Sequence, residues 1–591
     1  MSTLPLFIKK INVATFIKSH KFILILLPLA IFLLFTNLGR HYVYIDEANT
    51  AFLAKNILEY GYPRIADDKN ILPPFHDGSF TKHLAWVEQP WLQYYLAAAS
   101  IAVFGQNSFA PRFPFALLGL LSIILLYKLV LYLYPGNKLL ANLTILVYLL
   151  SIPFLLMARN CRYYSLVLIF VPLLMLMFLR WMDSFLLKDN LLYIITSILL
   201  FHSFYPFWFS FTFVSFLYFF IFNFRKNKVW VFISSHIIIA LFTLPWMVYV
   251  HSTPPIGAKP DITNVTNLFA IYFWKLHTYF FPFIVLLAIY FILYVLSKLK
   301  IFERQHDNIK MFFRKETFLF MSFVIYMLMI SLMNLSASQY LVPFLPIVSL
   351  LIGIILLKIK NFSHWIFMAI IIIFLLTNII HISPYIFIEK LNQNPNKLNK
   401  YIKTPQSIIF LGNSPTLEFY LYEQAEIRFY LFDFLYELTH EYQTRLDGII
   451  DYLIKHSKKD QTIFTWFGEA GALMYHTEMK VLYPPFPFVQ TKKVKDLITH
   501  NTDTIDWVIP NGMFLPKEMA AIKPDLIYGS IDTTDYYPYN PSDYDKIPLQ
   551  YPNVYYDVSP NIEAHHFRTL KNAPYFHILK RRESGIEDKN K

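Results

Sequence analysis

Apolar runs of membrane-spanning length recur from Phe22 to Ser383, separated by short polar breaks. A span needs about 20 mostly apolar residues, and inside hydrocarbon each span must satisfy its own backbone polar groups, which dictates helices. This excludes a soluble globular enzyme and predicts a polytopic α-helical membrane protein. The predicted spans are Phe22–Leu38, Phe113–Tyr134, Leu139–Met157, Tyr163–Trp181, Trp230–Val250, Leu276–Leu296, Phe318–Leu335, Tyr340–Leu357 and Trp365–Ser383. The block Leu191–Phe224 is too long for one crossing and divides at Pro206, which brings the expected number to eleven. Only 15% of the 591 residues are charged, against about 25% in soluble proteins. Charge and proline return beyond residue 390, without another run of spanning length. The chain therefore divides into a membrane domain, 1–390, and a soluble domain, 391–591.

The formal net charge of +13 does not point to nucleic acid. Lys and Arg gather in short breaks such as NFRKNK at 223–228 and SKLKIFERQHDNIKMFFRKE at 297–316, the pattern of cytoplasmic loops. That bias places the basic N-terminus inside, followed by an uncleaved first span. With eleven spans, the His41–Arg112 segment and the C-terminal domain then both lie outside, at the inner (cytoplasmic) membrane of a cell. In the C-terminal domain QSIIFLGN, QTIFTWFG and DWVIPNG read as short strands, and LYELTHEYQTRLDGIIDYLIKHSKK has helical spacing. The expectation is an extracytoplasmic α/β domain. The single cysteine, Cys161, allows no intramolecular disulfide and no Cys-based metal site.

Chemistry concentrates in His41–Arg112. DEANTAFLAKNILEYG reads as a short helix with Asp46 and Glu47 at its start, and WLQYYLAAASIAVF as a second helix lying at the membrane surface. Transfer of a group from a phosphate to a hydroxyl or amine needs a base, usually a carboxylate, to take the acceptor's proton and positive charge on the departing phosphate. Asp46 fits the first role; its structural alternative is a helix cap. Glu88, in VEQPW, is the second acid, with His76, Lys82 and His83 nearby. Arg159 and Arg162, in LMARNCRYYSL, sit between two spans on the same side. A lipid phosphate would satisfy them, or they snorkel to the interface, and the same two readings apply to Arg112. His202 could be functional or a structural bond at a helix break. Asp543 and Asp545 form a DxD in a Tyr- and Pro-rich segment, where chance explains the pattern. No P-loop, dinucleotide fingerprint, HExxH or CxxC occurs.

Three segments, IDEANTAFLAKNILEYG, WVEQPWLQYYLAAASIAVFGQNSFAPRFPFALLG and ARNCRYYSL, resemble motifs of the GT-C class of membrane glycosyltransferases. The similarity is to its bacterial aminoarabinose transferase and protein O-mannosyltransferase relatives. SQYLVPFLP is a weaker match, and the resemblance covers about residues 40–360. It implies a GT-C-like fold with a large first outer loop. It also implies inverting transfer from a polyprenyl-phosphate sugar to a lipid, glycan or protein acceptor. Asp46, Glu47 and Glu88 would form the catalytic set, and Arg159, Arg162, Tyr163, Lys82 and Arg112 the donor-phosphate contacts. Two departures remove positive charge: Gln89 stands where many relatives have Lys, and Gln339 where they have Arg. No cofactor is demanded; a divalent cation stays open, since metal dependence varies across the class. The competing readings are a transporter or flippase for lipid-linked sugars, and a non-catalytic envelope-glycan assembly protein. A transporter predicts charged residues at mid-membrane and repeated halves, and the sequence shows neither.

Overall fold

The computed structural model describes residues 13–74, 77–250, 265–299, 313–333, 337–384, 429–440, 444–465, 467–483, 504–510, 541–552 and 575–582. The membrane part is helical. It begins with α1 (Val13–Phe35), α2 (Asp46–Tyr60), α3 (Leu92–Phe104), α4 (Phe109–Leu133), α5 (Lys138–Leu149), α6 (Ile152–Ala158) and α7 (Tyr164–Ser184). It continues through α8 (Leu187–Phe201), α9 (Tyr205–Tyr218), α10 (Lys226–Val250), α11 (Val265–Lys275) and α12 (Phe283–Lys298). The last three helices of this part are α13 (Phe313–Ser331), α14 (Phe344–Lys360) and α15 (His364–Leu376).

Four helices are long and apolar enough to cross a membrane, and six spans result if two bent pairs are each counted as one, among the described residues. The protein is a polytopic membrane protein. The expected eleven spans include helices too short to qualify alone and two that the structure bends. Leu139–Met157, expected as one span, is α5 and α6 meeting at 65°. The break falls at Leu150–Ser151, where Pro153 enters the first turn of α6. Leu276–Leu296, also expected as one, straddles an 81° bend. A π-helical turn, Leu276–Phe280, ends the first arm and Pro282 precedes the second, since proline cannot continue the hydrogen-bond ladder. The division at Pro206 is observed, with Pro206 in the first turn of α9.

The C-terminal part contributes α16 (Tyr430–Thr439), α17 (Arg445–His456) and α18 (Phe467–Thr477). Its strands are β1 (Thr462–Phe464), β2 (Lys480–Leu482), β3 (Trp507–Val508), β4 (Tyr544–Pro552) and β5 (Tyr575–Arg581). They form one sheet in the order β2-β1-β3-β5-β4. β1 pairs in parallel with β2 and β3, while β5 is antiparallel to β3 and β4. The expected helical stretch is two helices, α16 and α17, rather than one. α17 starts with a reciprocal capping box between Thr444 and Asp447, the device that satisfies two orphan N–H groups at a helix start. QTIFTWFG and DWVIPNG supply β1 and β3; QSIIFLGN lies outside the described residues. Asp545 is on β4, ion-paired with Arg582.

The C-terminal part packs directly on the His41–Arg112 segment and on the turn before it. Asn70 donates to the Met479 carbonyl at 2.9 Å and accepts from the Val481 N–H at 2.8 Å. Tyr483 donates to the Ile71 carbonyl, and Asn37 to that of Leu438. At Gly471, on α18, an added Cβ would sit 2.7 Å from Asn49 Oδ1 on α2, so the two helices are in close contact.

Candidate active site

α2 begins abruptly. Ile45, at its N-cap, has φ 41°, ψ −112°, a conformation that a β-branched residue rarely adopts. Asp46 is the first helical residue, and no side-chain cap bond forms there. Asp46 is thus not the N-cap, though as an acid of the first turn it still meets the helix dipole. Its carboxylate instead faces Arg162, Oδ2 to Nη2 3.2 Å, with 32% of the Asp46 side chain exposed and only 7% of the Arg162 side chain. Arg162 Nε has no hydrogen-bond partner, and its Cζ lies 5.6 Å from the centre of the Tyr163 ring. Burial works most strongly against the guanidinium's charge, but Asp46 together with Tyr94, Tyr164 and Tyr163 more than offsets it and raises the Arg162 pKa above the ordinary value.

Glu88 completes the cluster. It accepts a hydrogen bond from Ser79 Oγ at 2.5 Å. Burial pushes its pKa from the ordinary 4.5 up to about 7; Ser79 and Arg162 oppose the rise and Asp46 adds to it. Two carboxylates thus act on one guanidinium, Asp46 paired with it and partly exposed, and Glu88 half-buried and held toward its neutral form. A carboxyl held neutral by its surroundings is how a site obtains an acid from this residue type.

Glu47 and Arg112 are placed differently. Arg112 uses all five of its N–H groups. Nε and Nη2 reach Glu47 at 3.0 and 2.7 Å, and the rest go to the carbonyls of Leu38, His41 and Tyr42. Glu47 Oε1 also accepts the Cys161 N–H at 2.7 Å. This pair is a buried clamp, with no guanidinium N–H left for a phosphate. Arg159 is engaged elsewhere: Nη1 donates to the carbonyls of Leu33 and Leu34 in the last turn of α1, each at 3.0 Å, and Cζ lies 5.9 Å from the Phe434 ring centre. Burial depresses the Arg159 pKa to about 10, with Glu437 opposing and Arg112 adding to the fall.

Tyr163 stacks on Phe204 at 5.2 Å, and its N–H donates to Gln93 Oε1 at 3.0 Å. Gln89 accepts from the Tyr94 hydroxyl at 2.8 Å. Lys82 and His83 are exposed, on a turn closed by the Leu84 N–H to the Thr81 carbonyl. His76 lies outside the described residues. His202 Nε2 is 3.3 Å from the Phe242 carbonyl at the α8–α9 break.

Of three further contributors, the two tyrosines carry no distinctive mark in the sequence. Tyr340 feels the charges of Arg162, Asp46 and Glu88, as does Tyr94. Gln93, 1% exposed, stands out as an amide in the largely apolar α3. Among the described residues, no three His, Cys, Asp or Glu side chains gather into a metal-ligand cluster. A cavity of about 40 Å³ lies elsewhere, where Ser151, Thr278, His381 and Tyr430 meet, and no member of the acid cluster lines it.

No protein-family model matches the chain. It is 32% identical over 174 residues to an uncharacterized protein of Aquifex aeolicus (strain VF5), a stretch covering 29% of this chain and 31% of that protein. The matched stretch thus spans about a third of the relative. Among solved structures the chain is similar to ArnT from Cupriavidus metallidurans bound to undecaprenyl phosphate. The TM-score is 0.51 at 12% identity, covering 87% of this chain and 90% of that one. Apo ArnT gives 0.50 and 12%, with 79% and 86% covered. At such identity the likeness is one of fold. The chain has the fold of ArnT, the GT-C architecture that its sequence motifs resemble.

Proposed function

We propose that this protein is an inverting glycosyltransferase that moves a sugar from a polyprenyl-phosphate carrier to a lipid, glycan or protein acceptor. The observation that carries the reading is the Asp46–Arg162 pair: a partly exposed carboxylate against a buried arginine at 3.2 Å, with a protonatable Glu88 beside it. Asp46 takes the proton of the acceptor hydroxyl or amine as the acceptor attacks the anomeric carbon. The bond from that carbon to the phosphate oxygen breaks, and its electron pair leaves with the polyprenyl phosphate. Arg162, with an unused Nε–H, meets the charge that develops there. Glu88, when neutral, can donate a hydrogen bond. Glu47 and Arg112 hold the frame. ArnT, whose fold the chain shares, has been crystallised with undecaprenyl phosphate, and that supports the carrier class.

In this reading the division near residue 391 separates a membrane glycosyltransferase domain from an extracytoplasmic domain. Reaction takes place on the outer face of the cytoplasmic membrane. The soluble part covers the acid site and helps to choose the acceptor. The test is mass spectrometry of envelope lipids and glycoproteins from cells with and without the protein. A sugar-sized mass difference that depends on its presence is expected. Identical spectra, with the protein expressed and inserted, would refute the reading.

A further inference from the structure

The clamp on Glu47 is itself held from a distant part of the chain. Asp447, on α17, lies 406 positions beyond His41. Its Oδ2 meets His41 Nδ1 at 2.8 Å and accepts the Thr444 N–H at 2.9 Å; its Oδ1 accepts the Tyr42 N–H at 3.1 Å. The side chains of His41 and Asp447 are 12% and 10% exposed. The carbonyls of the same two residues, His41 and Tyr42, receive Arg112 at 2.6 and 3.2 Å. Arg112 then locks Glu47, and Glu47 holds the Cys161 N–H. The last links adjoin both halves of the candidate reaction centre: Glu47 follows Asp46 on α2, and Cys161 precedes Arg162.

We propose that Asp447 is a positioning residue for the acid centre. It fixes the His41–Tyr42 backbone in the one register that offers both carbonyls to Arg112, and through that clamp sets Asp46 against Arg162. Its catalytic consequence rests on the function proposed above; its structural consequence does not. A second acid of α17 supplies the control. Among the described residues Asp451 accepts only the Tyr42 hydroxyl, at 2.7 Å on the exposed rim, with no link to the Tyr42 backbone. An alternative in which α17 merely glues the two parts together would make the two acids equivalent.

The natural single cysteine provides a readout that needs no turnover. Cys161 is buried and bonded through its N–H to Glu47. In purified full-length protein, Asp447→Asn replaces an oxygen that faces N–H donors with an amide. A hydrogen bond to a charged group is worth about tenfold or more in an opening equilibrium. Maleimide labelling of Cys161 should therefore accelerate about tenfold, with Asp451→Asn labelling at the wild-type rate. Undecaprenyl phosphate binding, the donor-side probe, should be retained. Product formation in cells should fall by on the order of 10- to 100-fold, as expected for a misplaced reacting group. If Asp447→Asn does not accumulate folded, His41→Gln removes the ring contact alone and carries the same comparison. Equal labelling of the Asp447 and Asp451 variants would overturn the proposal. Faster labelling without any product in wild type would uphold the relay and refute the glycosyltransferase reading.

Discussion

Glu88 gives the sharpest electrostatic test. Moving its pKa from 4.5 to about 7 means that the surroundings favour the neutral carboxyl by about 3 kcal/mol. Burial supplies the rise, and the two other charges of the cluster act on it with opposite signs. The native state therefore holds a proton on Glu88 between pH 4.5 and about 7 that the unfolded chain releases. Its contribution to stability is fully present below 4.5 and is lost as pH rises through about 7. Infrared titration of the carboxyl C=O stretch, wild type minus Glu88→Gln, should show a midpoint near 7. Asp46→Asn removes a charge that raises the value, so the midpoint must fall. Arg162→Gln removes one that lowers it, so the midpoint must rise. A midpoint near the ordinary 4.5, or shifts of the same sign in both variants, would refute the three-charge cluster.

Arg112→Gln leaves Glu47 buried without its counter-ion, which should cost about 3–5 kcal/mol and appear as a lower thermal transition in detergent. Gly119→Ala places a Cβ 2.7 Å from that of Ala158. The overpacking should cost about 1–3 kcal/mol and, by displacing α6, loosen the Arg159–Arg162 turn in hydrogen exchange. Burial pushes the Asp447 carboxyl up, but His41 and the Thr444 and Tyr42 N–H groups more than reverse this and hold it below its ordinary 3.8. Docking should therefore be intact above that pH and weaken as pH falls below it, and Asp447→Asn should flatten that acid limb.

Much of the frame can be read locally. The helix at DEANTAFLAKNILEYG and its stop are visible because only glycine readily accepts the left-handed Gly61 position, φ 79°. Pro206 announces the break before α9 for a different reason, since it has no N–H to continue the hydrogen-bond ladder of the preceding helix. The two bent spans are harder to see, because hydropathy averages across Ser151 and Pro282 while the backbone does not. The roles of the arginines are less legible still. Arg112, Arg159 and Arg162 look alike as cations beside apolar spans. Only the fold shows Arg112 filled by five acceptors, Arg159 on the end of α1, and Arg162 with an unpartnered Nε. Asp447 could not be anticipated from its neighbourhood, where it looks like an ordinary capping-box acid; its second role depends on the docking of α17.

Transfer by the Asp46→Asn protein tests the central claim most directly. The measurement is sugar transfer from polyprenyl-phosphate sugar by purified full-length protein in membranes, wild type against variant. The account predicts that Asp46→Asn is folded, inserted and still binds undecaprenyl phosphate, yet forms no product. Product at the wild-type rate would contradict Asp46 as the base.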